Sequence, residues 1–234
     1  RILNPLGEDS SVMRTTALPS MLDILARNAA YHNKAVKLYE IGKIYLPQDG
    51  ETLPQEPKVL MLGAYGGGTD FFSMKGEIEA LLRAINAMQP EYVAEETNPS
   101  YHPGRCARLM IDGVSCGVFG QIHPLVARSY GIDSEVYCAE LDFTALLDKL
   151  MPEKTYHPLP KFPAVSRDLS LVCDDALTIA ELENCIKHAG GKLLRGVELF
   201  DIYRGANLPD GKKSVAFSLE LRADDRTLTD TDSD

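Results

Sequence analysis

The sequence predicts an α+β protein in two parts: helices flanking a largely antiparallel sheet, then a smaller β-α-β-β module. Three observations predict it. Residues 1–150 interleave helices of 3.6-residue apolar period with strands, two of them joined by Asp112-Gly113, the composition of a tight hairpin turn. Residues 151–163, MPEKTYHPLPKFP, carry four prolines, which exclude regular helix and mark an extended connector. Residues 164–234 read strand, helix, strand, strand.

Each element has its own signal. LPSMLDILARNAA (18–30) sets Leu18, Met21, Leu22, Leu25 and Ala29 on one helical face, with Pro19 tolerated in the first turn. Residues 36–46 form a strand, and KVLMLGAYG a second one after the turn-rich QDGETLPQEP. A long helix follows, with Met74, Ile78, Leu81, Leu82, Ile85 and Met88 at helical spacing and Pro90 as its stop. ARLMIDGVSCGVFGQIH is the hairpin, PLVARSYG a short helix bounded by Pro124 and Gly131, VYCAELDF a strand and TALLDKL a closing helix. In the second part RDLSLVC is a strand, and LTIAELENCIKHAGG a helix with a capping box at Thr178 and Glu181, a Leu177–Leu182 staple and a Gly190-Gly191 stop. LRGVELFDIYRG and KKSVAFSLELR are strands joined by the loop ANLPDG. That order is most of a ferredoxin-like β-α-β-β-α-β domain, without its last helix and strand.

Composition narrows the function classes. The 234 residues are 44% hydrophobic and 25% charged, enough to bury a core without disulfides or a structural metal. No stretch reaches the roughly 18 apolar residues of a membrane span. Five cysteines without a C-x-x-C pair fit reduced cytosolic thiols. The net charge of −10 argues against generic nucleic-acid coating and leaves room for a local RNA contact. The start RILNPLGEDSS, without Met or signal pattern, and the polar end TLTDTDSD lead us to expect a piece of a longer polypeptide.

Two sets of segments carry a resemblance. FPAVSRDLSLV, LFDIYRG, KKSVAFSL and RTLTD resemble the ferredoxin-fold anticodon-binding domain of the bacterial phenylalanyl-tRNA synthetase β-subunit family. NPLGEDSSVMRTTALPSMLDILARN, KLYEIGKIY, FFSMKGEIEALL, YHPGRCARLMIDG and GVFGQIHP are similar to the preceding domain of that subunit. The resemblance implies a class II synthetase-like domain over 1–150, a Pro-rich linker over 151–163, and an anticodon-binding domain over 164–234, incomplete at its C-terminal end. It implies a C-terminal fragment of an α2β2 cytoplasmic ligase that joins phenylalanine to its tRNA with ATP and Mg2+. The fragment's partners would be the α subunit and phenylalanine tRNA, with no DNA, no membrane and no cofactor of its own.

In active class II enzymes the strand like IGKIY continues into an Arg that clamps the ATP α-phosphate, then an acidic residue. Here Tyr45 is followed by Leu46, Pro47 and Gln48, so both charges are gone. Where the family's catalytic subunit has a glycine-rich turn and an adenine-stacking Arg, this chain has Ala139, Glu140, Leu141, Asp142 and Phe143. Acidic residues there repel a triphosphate. We therefore expect a catalytically silent domain, with no catalytic or metal-binding residue.

Other constellations read as structure. None of the five histidines has the i,i+4 spacing of a helical metal site: His102 and His123 precede prolines, His157 sits in the linker, and His32 and His188 fall late in helices. Gly66-Gly67-Gly68 lacks the ending of a phosphate loop and leads into a helix cap. Glu40 is in phase with Val36, Leu38 and Ile44, a half-buried structural carboxylate, whereas Asp23 is a solvated helix residue. YHPGR (101–105) reads as a bracing or interface loop.

For the second part, the sharp reading is single-stranded RNA, because open ferredoxin-like sheets stack bases on aromatic side chains. Residues 161–222 hold nine basic and nine acidic side chains, a net charge of zero. Alternation puts Val215, Phe217, Leu219 and Leu221 on one face and Ser214, Ala216, Ser218 and Glu220 on the other. Given the resemblance, the candidate tRNA-binding residues are Arg167, Tyr203, Arg204, Lys212, Lys213, Ser214 and Ser218. Two rival readings stand beside it, an active nucleotide-dependent ligase and a free-standing RNA-binding or regulatory relative without ligase activity.

Overall fold

A computed structural model describes residues 1–8, 11–152, 156, 158–205 and 207–233. His157 and part of the Pro-rich connector lie outside the described residues. The chain divides into two compact units, Arg1–Thr155 and Tyr156–Asp234.

The first unit is one six-stranded antiparallel sheet with helices on both faces. Its elements are α1 (Leu18–Ala30), β1 (Val36–Lys43), β2 (Lys58–Tyr65), α2 (Phe71–Ala84), β3 (Pro90–Ala94), β4 (Tyr101–Ile111), β5 (Val114–Ile122), α3 (Pro124–Ser129), β6 (Val136–Asp142) and α4 (Phe143–Asp148). The strand order is β1-β2-β6-β5-β4-β3. Leu18, Met21, Leu22 and Leu25 of α1 pack with Met61, Cys138 and Ile122 in one core. Met74, Ile78 and Leu82 of α2 pack with Leu109, Phe119 and Leu141 in the other. Gly63 lets α1 approach closely, since a Cβ there would lie 2.6 Å from the Met21 side chain.

Local chemistry sets the element ends. Asp112 and Gly113 have φ of 51° and 71°, the left-handed pair that a two-residue hairpin turn requires. Asp70 and Ser73 make a reciprocal capping box that starts α2. The three glycines ahead of it are all left-handed, and a Cβ on Gly66 would lie 2.0 Å from the Lys34 carbonyl.

The structure departs from the expected elements in four places. The strand expected over 36–46 ends at Lys43, and Leu46 instead forms an isolated bridge with Gln55. Helix α2 ends at Ala84, with Asn86 left-handed and Met88 beyond it. Pro90, read as a helix stop, opens β3, an edge strand where its missing N–H costs nothing. YHPGR is the first half of β4, interrupted by a register shift between Tyr101 and Cys106.

The second unit is a three-stranded antiparallel sheet under one helix. It contains β7 (Val165–Asp174), α5 (Ile179–Ala189), β8 (Leu194–Tyr203), β9 (Lys212–Leu221) and the short α6 (Asp230–Ser233). The order β7-β9-β8 places the last strand between the first two. Thr178 and Glu181 form the capping box of α5. The small core joins Ile186, Val215 and Phe217, ringed by Leu169, Leu171, Leu182, Leu194, Val197, Leu199 and Leu219.

Candidate functional site

In the first unit, one row of residues crosses all six strands in register: Glu40, Met61, Glu140, Val118, Arg108 and Val93. Two carboxylates therefore lie two strands apart, about 10 Å by sheet spacing. The segment ahead of α1 closes over both. Arg14 Nη2 donates to Glu40 at 2.5 Å, while Thr16 Oγ1 and the Ala17 amide donate to Glu140 at 2.5 and 2.8 Å. Arg14 also donates to the Lys43 carbonyl at 3.0 Å. Gly42 makes room for this pair, because a Cβ there would lie 2.2 Å from Arg14 Nη2. Leu46 packs against the α1 core, and Gln48 donates to the Leu53 carbonyl in its own turn. Neither residue addresses a ligand, and the chain's own groups satisfy both carboxylates.

The uncovered part of the row forms a cleft of about 510 Å3, lined among others by Glu95, Arg108, Ser115, Val118 and Glu140. The one cation among its described lining residues, Arg108, is held by Glu95, which also accepts from the Thr97 amide. Glu95 is 6% exposed. Hydrogen bonding from Arg108 and Thr97 holds its carboxyl at about 2, below the ordinary 4.5. Its stabilising effect is therefore complete above about pH 4.5 and is lost as pH falls through about 2. We expect Glu95→Gln to flatten the pH dependence of the first unit's thermal midpoint in that window. A wild-type slope persisting in the variant contradicts this assignment.

YHPGR braces its neighbours through its last residue. Arg105 donates to the buried Gln121 at 2.8 Å and to Glu135 at 3.0 Å, and Tyr137 donates to the same Glu135. His102 and His123 accept from the Gly104 and Leu125 amides, as local turn residues do.

In the second unit, register defines the face away from α5. β9 contributes Lys212, Ser214, Ala216, Ser218 and Glu220; β7 contributes Ser166, Asp168, Ser170, Val172 and Asp174. β8 adds Gly196, Glu198, Asp201 and Tyr203. Ser166 meets Ser218 at 3.2 Å and Ser170 meets Ser214 at 3.5 Å, leaving a shallow, hydroxyl-lined floor. Tyr203 pairs with Ser214 and is 45% exposed beside it. Its hydroxyl lies over Gly205, where a Cβ would sit 2.0 Å away.

The seven candidate residues do not all meet. Tyr203, Ser214 and Ser218 share the open face, with Lys212 and Arg204 at one end of it. Lys213 does not: it is 4% exposed and donates to the Asp175 carbonyl at 2.9 Å and to the Leu177 carbonyl. Arg167 pairs with Leu219 and lies in phase with Leu169 and Leu171, on the α5 side. Alternation already carried both corrections, because Lys213 is in phase with Val215 and Phe217. Two residues outside the seven lie beside Ser214 and Tyr203: pairing with β9 brings Ser170 to Ser214, and alternation along β8 puts Asp201 on the same face as Tyr203.

The open face is acidic: its strand positions carry Asp168, Asp174, Glu198, Asp201 and Glu220 against Lys212, with Arg204 at its end and Arg222 paired to Glu220. Such a surface repels a tracking phosphate backbone. An exposed carboxylate beside an aromatic ring accepts from base N–H groups, so the face suits one splayed-out base.

Comparison with known proteins gives two family matches: the phenylalanyl tRNA synthetase beta chain CLM domain over residues 1–143, and the ferredoxin-fold anticodon binding domain over residues 160–234. Phenylalanine–tRNA ligase beta subunits from Clostridium tetani and Clostridium acetobutylicum are 45% and 43% identical, each over 99% of this chain. The Bacillus subtilis subunit is 37% identical over 97% of it. The chain spans 29% of the length of each of these relatives. A solved pyrrolysyl tRNA synthetase from Desulfitobacterium hafniense is similar at 15% identity over 57% of this chain and 48% of its own, with a TM-score of 0.49.

Proposed function

Because the chain belongs to the phenylalanyl-tRNA synthetase β-chain family, we propose that it serves the ligation of phenylalanine to its tRNA without performing the chemistry. In this reading the first unit is a class II-like domain that packs against the α subunit of a cytoplasmic α2β2 enzyme. The second unit holds the anticodon region of the tRNA. ATP and Mg2+ belong to the whole enzyme.

One observation carries the silent role. Arg14, Thr16 and the Ala17 amide are engaged with Glu40 and Glu140, across the face that would have to receive a nucleotide. Leu46 stands where the α-phosphate cation would be and packs, half-buried, against the α1 core. The residues present do not fit ATP: two carboxylates face that region, and Arg108 is already held by Glu95.

Phenylalanine-dependent ATP–pyrophosphate exchange tests this reading. The purified chain should show none, and Leu46→Arg should restore none, since one guanidinium leaves Glu140 and its closure in place. Exchange above background by either protein, freed of α subunit, would overturn it.

The RNA role rests on the Tyr203, Ser170, Ser214 and Asp201 cluster. A base stacked on Tyr203 would meet hydroxyls on the floor and a carboxylate at its edge.

A further inference from the structure

The two cations at the Tyr203 end of the sheet are each paired with a carboxylate. Arg204 Nε donates to Asp175 at 2.6 Å, and Lys212 Nζ donates to Asp174 at 2.5 Å. Asp174 ends β7 and Asp175 opens the turn that follows, and that turn is fixed by three sets of hydrogen bonds. The buried Lys213 ammonium binds the Asp175 and Leu177 carbonyls. The Asp175 amide donates to the Gly211 carbonyl at 2.8 Å, and the Leu177 amide to the Asp174 carbonyl at 3.1 Å. A buried cation thus anchors a pair of carboxylates, which in turn neutralise the pair of cations at the rim.

Resting on the RNA reading of this unit, we propose that Asp174 and Asp175 are specificity-determining residues: an electrostatic screen that makes binding depend on the base instead of on the phosphate. Generic affinity for RNA comes from Lys and Arg neutralising phosphates. Here a phosphate gains Arg204 or Lys212 only by displacing a carboxylate that remains nearby and repels it. Both ion pairs are exposed, with Arg204 58% and Asp175 50% accessible, so they are weak enough to exchange. A strand that also stacks a base on Tyr203 and reaches the Ser170–Ser214 floor overcomes the screen. One that offers only its backbone does not.

The experiment uses the whole 234-residue chain, an anticodon stem-loop of phenylalanine tRNA, and the same stem-loop with its anticodon bases replaced. Affinities are measured over a salt series for wild type and for Asp174→Asn/Asp175→Asn. Freeing each cation should steepen log K against log salt by about 0.7, so about 1.4 for the double variant. The replaced loop should gain more than the cognate one, so their affinity ratio falls. Asp224→Asn/Asp225→Asn makes the same charge change beyond the far end of β9, beside Arg195 and Arg226. It should leave the salt slope near wild type.

An unchanged slope in Asp174→Asn/Asp175→Asn, or an equal change in the distal variant, overturns the screen while the RNA reading stands. Failure of the wild-type chain to bind either loop at any salt overturns both.

Discussion

Replacing Phe217 by alanine should unfold the second unit while the first keeps its own transition. Phe217 is fully buried in the central strand β9 and sits in a core with few large members, chiefly Ile186 and Val215. Leu169, Leu171 and Leu199 reach it from the outer strands, and Leu182 from α5. Truncating a buried phenylalanine costs about 3–5 kcal/mol, from lost transfer free energy and an unfilled cavity. A domain of this size has about 5–15 kcal/mol in total. With roughly 4–8 °C lost per kcal/mol, the second unit's midpoint should fall by about 12 °C or more. Hydrogen exchange should quicken in β7, β8 and β9 and stay at wild-type rates in β2, β5 and β6. A drop of only a few degrees, or quickened exchange in both sheets, would contradict this account of the core.

Tyr203→Ala should weaken binding of the phenylalanine anticodon stem-loop about tenfold to a hundredfold, the equivalent of one base stacked on one ring. Tyr203→Phe keeps the ring face and should stay within a few-fold of wild type. Tyr203 is half-exposed at the end of β8, in register with Ser214, and laid over Gly205. No core contact depends on it, so the alanine variant should melt as wild type does. Equal affinity of the alanine variant and wild type would remove Tyr203 from the base site. Asp201→Ala then reports separately on the edge contact, because Asp201 lies two residues before Tyr203 on the same face of β8.

What could be read from the sequence divides along the range of the interactions. Capping at Asp70 and Thr178 and the Asp112-Gly113 turn depend on neighbours within a few residues, so the pattern alone locates them. The helical face of α1 and the alternation of β9 follow from period, which burial then enforces. Strand β3 was not legible, since PEYVA is short, opens with proline and owes its strand geometry entirely to pairing with β4. Glu40 illustrates both limits. Its phase marked it as half-buried, but its partner Arg14 lies 26 residues away and no local signal names it.

The site residues show a different failure. Lys213 and Arg167 looked like phosphate contacts because they are basic, while their phase had already put them on the α5 face. Charge prompted the assignment and alternation contradicted it. Burying an ammonium requires paired acceptors, which Lys213 finds in two carbonyls. The acidic partners of Arg204 and Lys212 come from the end of β7 and the turn after it, 29 and 38 residues earlier, so only the folded sheet reveals them.

The central claim is that this chain acts through its partners and not through chemistry of its own. Sedimentation of the purified chain with a bacterial phenylalanyl-tRNA synthetase α subunit tests it most directly. The account predicts a stable complex in which the chain and the α subunit travel together. Separate sedimentation of the two proteins at micromolar concentration would contradict it.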